Sequence, residues 1–309
     1  VTTHPDVLGW LRAVDPSTAY LVARDLENRD DPVLRAGIAD SGVGAALLAA
    51  RRPDGHWGSG FYGPNWTSTH YTLLELAWLG LDPREPRAAS SVRVVLDSPR
   101  CDDGGLGAGG PASRSDVCIN GMALTYGSHF GAETSVLVGV LDMVLTERMA
   151  DGGVNCRSTR SGATHSSVHT TTSVIEGFTA YLAAGHEHRA AEVAEARSAA
   201  VEFLLVHRLF RSHRTGEVIR PEFTRLHHPA RWRFDVLRGL DAVTHAGVVE
   251  DDRLSDGLDV LRRRRRADGR WCGARGYPGQ THVGYPGPRE PNPWITLAAL
   301  RILRRTGVD

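Results

Sequence analysis

The chain has 309 residues, a formal net charge of +0 and 41% hydrophobic residues. That composition supports a sizeable core and excludes a wholly disordered chain. Balanced charge excludes a general nucleic-acid binder, which needs a basic surface to release counterions, and the absence of lysine excludes Schiff-base chemistry and a lysine-anchored pyridoxal cofactor.

The start, Val1, Thr2, Thr3, His4, Pro5 and Asp6, lacks the apolar stretch of a secretory signal, so a cytoplasmic protein is expected. Residues 1–42 read as a short N-terminal helical cap. Pro16, Ser17 and Thr18 open a helix with Tyr20, Leu21, Ala23 and Leu26 on one face, and Pro32 opens another.

A repeat domain is expected over 43–309. A helix through Ala45, Leu47 and Leu48 runs into Asp54, Gly55, His56 and Trp57, and an apolar helix follows over 69–79. The pattern of helix, Asp-Gly turn, loop and apolar helix returns at Asp103, Asp151 and Asp268, with a degraded copy at Thr215 to Val218. Its period of roughly 50 residues suits helical-pair repeats. The later second helices are predicted over 117–126, 171–182, 234–243 and 294–303. Gly80, Gly127, Gly185, Gly247 and Gly307 stand where helix-ending glycines belong. The second helices are apolar nearly all round, which means burial on both sides. The first helices are amphipathic, and the arginine run 262–266 belongs to a solvated outer face. Inner apolar helices ringed by outer amphipathic ones make an all-α fold, an α/α toroid. The longest apolar run, 136–141, is stopped by Asp142, so no membrane span is expected.

Four cysteines, Cys101, Cys118, Cys156 and Cys272, are too few for a disulfide scaffold in a chain this long. Cys118 and His169 open two successive inner helices, each behind a glycine-rich turn. Side chains placed so would converge at one mouth of the ring, and thiolate plus imidazole is a zinc donor set. Asp116 is either the third ligand or a helix N-cap. Cys156, in the turn after Asp151, is either a rival ligand or a small buried apolar residue.

Basic and aromatic residues complete the expected site. Arg231 and Arg233 precede the fourth inner helix, and with Arg160 they are candidates to orient an anionic group. Trp66, His70, Tyr126 and Trp232 are candidates to line an apolar substrate pocket. The Gly- and Pro-rich stretch 273–293 is either a lid over the ring or a plain connector.

The Asp-Gly-x-Trp turns at Asp54 and Asp268, each followed by an inner helix, resemble the repeat of the terpenoid cyclase and protein prenyltransferase superfamily, over roughly residues 43 to 307. The chain resembles still more closely a set of bacterial prenyltransferase-like, squalene cyclase-like repeat proteins. Protein prenyltransferase β subunits hold catalytic zinc with an Asp-x-Cys pair and a later His, which the resemblance carries onto Asp116, Cys118 and His169. The Asp-x-Asp-Asp proton donor of class II terpene cyclases is absent, and Ile119 stands where prenyltransferases carry a tyrosine.

The expectation is therefore a zinc-dependent enzyme that activates a thiol or water for transfer to an electrophilic, hydrophobic substrate. Its alternatives are a zinc hydrolase or lyase on the same site and a non-catalytic toroidal interaction module. The expected partners are a hydrophobic or anionic small molecule or peptide, with room for a partner subunit or a homodimer.

Overall fold

A computed structural model describes residues 5–308. The residues Val1 to His4, on which much of the reading of the N-terminus rests, lie outside them. Fourteen α-helices are α1 Pro5–Val14, α2 Pro16–Leu21 (continued by a π turn, Val22–Leu26), α3 Pro32–Asp40, α4 Gly42–Ala49, α5 Thr69–Trp78, α6 Pro86–Leu96, α7 Val117–His129, α8 Thr134–Thr146, α9 Cys156–Ser161, α10 Val168–Ala183, α11 Ala190–Val206, α12 Val236–His245, α13 Ser255–Arg264 and α14 Pro293–Thr306. Among the described residues, β pairing is limited to isolated bridges. The inner helices overlap the predicted stretches to within three residues at each end: α7, α10 and α14 run longer, α12 starts and ends two residues later, and α5 stops one sooner. Gly127 lies inside α7 rather than ending it, the left-handed glycine there being Gly131.

Local chemistry sets the helix ends. Asp15, Asp31 and Asn292 each place a side-chain oxygen on the first free N–H groups, with a proline following as the first helical residue. At the other end, Gly80, Gly185, Gly247 and Gly307 have φ of 77°, 77°, 100° and 65°, a left-handed turn that glycine adopts without cost. The two Asp-Gly-x-Trp turns are built alike. The indole N–H of Trp57 donates to the Leu47 carbonyl at 2.6 Å, and that of Trp271 to the Leu261 carbonyl at 2.8 Å. Thr69 Oγ1 and Thr296 Oγ1 accept the backbone N–H of the two tryptophans at 2.9 and 3.0 Å. Both indoles are fully buried, so each turn is pinned to the outer helix before it and the inner helix after it.

Helices α5, α7, α10, α12 and α14 pack side by side in that order, and α14 then packs on α2, which reaches α5 through α4. This closes the circle. Arg301 of α14 pairs with Asp25 at 3.2 Å, and the Trp294 indole N–H reaches Ser17 Oγ at 3.2 Å. Helices α6, α8, α11 and α13 pack on the outside of the inner helices they follow. The outermost charges include Arg262, Arg263 and Arg264 of α13, which are exposed while Leu258 and Leu261 of the same helix are buried. A division into 1–42 and 43–309 marks where the repeat starts along the chain and stays a proposal. In space, α2 stands in the inner ring.

The tightest inner contact joins α7 to α10. A Cβ on Gly177 would strike the carbonyl oxygen of Gly121, and one on Gly121 would lie 2.9 Å from the Ser173 oxygen. Two glycines thus let two backbones touch where any side chain would hold them apart.

Candidate functional site

Cys118 is the second residue of α7 and Cys156 the first of α9. The fold brings them together: the Cys118 N–H donates to Cys156 Sγ at 3.2 Å, and the hydroxyl of Thr170 donates to the same sulfur at 3.5 Å. The hydrogen bond from the Cys118 thiol, then these donors, outweigh burial and bring the Cys156 thiol down to about 7. The same hydrogen bond, with burial, pushes Cys118 well above its ordinary value.

Asp116 occupies the N-cap position of α7, yet its side chain does not cap the helix. Its carboxylate turns instead to the guanidinium of Arg160. His169, the second residue of α10, accepts the backbone N–H of Phe234 on Nδ1 at 2.7 Å. Its ring lies edge-on to Phe223 and Trp232, each centroid at 5.2 Å. Burial, then the charges of Arg238, Arg220 and Arg233, bring His169 down to about 4.

The expected zinc set is therefore not assembled. Asp116 is engaged by an arginine, and one nitrogen of His169 by the main chain. Among the described residues no three His, Cys, Asp or Glu side chains converge as a metal would need. These side chains do not fit zinc, which takes four ligands at about 2.0–2.3 Å.

The basic and aromatic candidates separate. Arg160 stays at the surface beside Asp116. Arg231 lies inside the ring, paired with Glu75 of α5, both side chains buried. Its backbone sits at φ 58°, a conformation that costs a non-glycine residue energy and is held by the surrounding structure. Arg233 packs over the rings of Trp232 and Tyr277 at 4.7 and 4.6 Å. His70 and Tyr126 are fully buried against each other, with Nδ1 to Oη at 3.4 Å. Trp66 ties down the 273–293 stretch, its indole N–H donating to the Pro278 carbonyl at 2.8 Å. His282 Nε2 contacts the Thr67 carbonyl at 3.1 Å, so that stretch straps across the mouth of the ring.

Sequence reasoning missed the inside of the ring. A cavity of about 100 Å3 is lined by Leu21, Trp78, Glu176, His228, Asp241, Trp294 and Arg301, among others. These come from α2, α5, α10, α12, α14 and the 226–235 loop. Its charges are paired: Arg238 donates to Glu176 at 2.8 and 2.7 Å, and Arg301 Nε donates to Asp241 at 2.8 Å. Against the penalty of burial, Arg301 and His245 hold Asp241 well below the usual carboxylate range.

His228 stacks on Trp294, centroids 4.9 Å apart and planes 4° from parallel, and Tyr285 from the strap stands edge-on to both. Burial, then Arg231 and Arg301, bring His228 down to about 3, so its ring is neutral near pH 7. His228 Nε2 and Tyr285 Oη are buried without a hydrogen-bond partner. A signal for this interior was present: Glu75 and Glu176 are the only acidic residues of α5 and α10, and each sits among buried apolar neighbours.

Comparison with solved structures gives the fold a class. The chain is similar to "Glycosyl hydrolase family 88 from Bacteroides vulgatus", with 14% identity over 96% of this chain and 90% of that one, at a TM-score of 0.54. It also matches the type II terpene cyclase MstE from Scytonema, with 13% identity over 91% of this chain and 97% of that one, at a TM-score of 0.36. No family model matches the chain, and no curated protein matches it in sequence. The fold is an α/α toroid.

Proposed function

We propose that this protein is an enzyme that works on a small, hydroxyl-rich molecule, of the kind a glycosidase or polysaccharide lyase handles, inside the ring rather than at a metal on its rim. The observation that carries this reading is a set of four charged side chains in an otherwise apolar cavity wall. Two carboxylates, Glu176 and Asp241, and two arginines line a space flanked by Trp78 and Trp294. An isoprenoid chain offers those charges nothing to hydrogen-bond. A sugar offers hydroxyls to the charges and C–H faces to the indoles.

In this reading Asp241, kept anionic by Arg301, stabilises positive charge that develops in the substrate. Glu176 supplies the second carboxyl that acid–base cleavage of a glycosidic bond needs. His228 offers its free ring nitrogen to a substrate hydroxyl. That the fold is shared with a protein named as a glycosyl hydrolase, at a TM-score of 0.54, agrees with this reading.

The test is thermal-shift and tryptophan-fluorescence binding with panels of saturated and unsaturated oligosaccharides, set against farnesyl and geranylgeranyl diphosphate. Sugar ligands should raise the Tm, and Glu176→Gln or Asp241→Asn should abolish cleavage while leaving binding measurable. Stabilisation by the isoprenoids alone, or cleavage unaffected by both substitutions, would overturn the proposal.

A further inference from the structure

The two cysteines at the rim have a geometry that the cavity reading does not use. Two donors point at one sulfur. Cys156 Sγ receives the Cys118 N–H at 3.2 Å and the Thr170 hydroxyl at 3.5 Å. The N–H belongs to the first turn of α7, where backbone donors have no partner within the helix. Negative charge on a sulfur is stabilised at such a place. Both donors reach the Cys156 sulfur, so the two thiols are not equivalent.

The other cysteines lack this environment. Cys101 is buried, with its sulfur 3.6 Å from the Gly110 carbonyl, an acceptor. Cys272 has Arg266 Nη1 at 3.8 Å. Cys118 and Cys156 are each partly buried, whereas Cys101 is fully buried.

We propose that Cys156 and Cys118 form a reactive dithiol, in which Cys156 is the attacking sulfur and Cys118 the resolving one, and that its co-reactant is a hydroperoxide. In the first step the Cys156 sulfur attacks the distal peroxide oxygen. The O–O bond breaks, the sulfur becomes a sulfenic acid and the peroxide leaves as alcohol or water. In the second step the Cys118 sulfur attacks the Cys156 sulfur. The S–O bond breaks, water leaves with the Cys118 proton, and a disulfide joins α7 to α9. The sum is two thiols oxidised by two electrons and one peroxide reduced by two. The proposal is independent of what the cavity binds.

The experiment treats the reduced full-length chain with hydrogen peroxide and reads intact mass and non-reducing peptide maps. The expected product has lost two hydrogen atoms, carries one cross-link between the peptides of Cys118 and Cys156, and returns to the starting mass with dithiothreitol. Cys118→Ser should stop at a sulfenic acid on Cys156 that dimedone traps. Cys156→Ser should leave Cys118 unmodified. On the unmutated chain, which needs no variant to fold, competitive alkylation with isotope-coded iodoacetamide should label Cys156 about tenfold faster than Cys118 or Cys101. Four alkylatable thiols after peroxide, a cross-link through Cys101 or Cys272, or equal alkylation of Cys118 and Cys156 would each overturn the proposal.

Discussion

Glu75 and Arg231, 156 positions apart in sequence, meet inside the ring. Glu75 projects from α5, and Arg231 from a loop whose left-handed residue aims the guanidinium inward. The second oxygen of Glu75 is buried without a partner. Removing one member strands the other charge, so Arg231→Met should destabilise the protein by about 3–5 kcal/mol. Arg231→Met combined with Glu75→Leu should recover most of that loss. Urea unfolding of the three variants measures both effects.

Glu75 and Asp241 should show opposite pH dependences. Burial raises Glu75 above its ordinary 4.5, and Arg231 only partly offsets it. Its contribution is full below 4.5 and is lost as pH rises through the folded value. Asp241 is lowered below its ordinary 3.8, so its contribution is present above 3.8 and is lost as pH falls through the folded value. Relative to the unmutated chain, Glu75→Gln should gain stability as pH rises from about 4 to 7. Asp241→Asn should close its deficit as pH falls below about 4. Denaturation curves at stepped pH check the two signs.

Gly177→Ala should cost roughly 1–3 kcal/mol or more, because its Cβ meets the α7 main chain, which cannot move alone. Gly9→Ala is the control. Its Cβ meets nothing within 4 Å on an exposed helical position, and it should stabilise by about 0.5–1 kcal/mol. Thermal melts separate the two directions.

Chelation should leave the protein unchanged. Asp116 is paired with Arg160 and His169 Nδ1 with the Phe234 N–H, so zinc would have to break both contacts. Dialysis against EDTA is expected to leave Tm unaltered, and added zinc to raise it by less than about 1 °C. Stoichiometric zinc in purified protein, lost together from Cys118→Ala and His169→Ala, would restore the ligand set expected from sequence.

The ring was legible because its grammar is local. A capping residue, an Asp-Gly turn, a Trp and a terminal Gly each act within a few positions, and the inner helices lie where those signals put them. The rim was legible in part. Cys118 and His169 do open successive inner helices, but which way a side chain turns from a helix start depends on neighbours far along the chain. Phe234 claims His169 from another loop, and Arg160 claims Asp116. The interior was passed over for a different reason. Glu176 or Asp241 alone reads as a stray charge in an apolar helix, and only the partners Arg238 and Arg301 show that the charges face inward together. The place of α2 was hidden because no Asp-Gly turn precedes Pro16.

The contact of Arg301 with Asp25 has a mechanical consequence. An open stack of helical pairs can peel from whichever unit lies outermost, since that unit has a neighbour on one side only. Here the first and last inner helices are neighbours, so no unit is outermost. Amide protons of α14 should therefore exchange about as slowly as those of α10, on the far side of the hoop, and loosening anywhere should require the whole hoop to open at once.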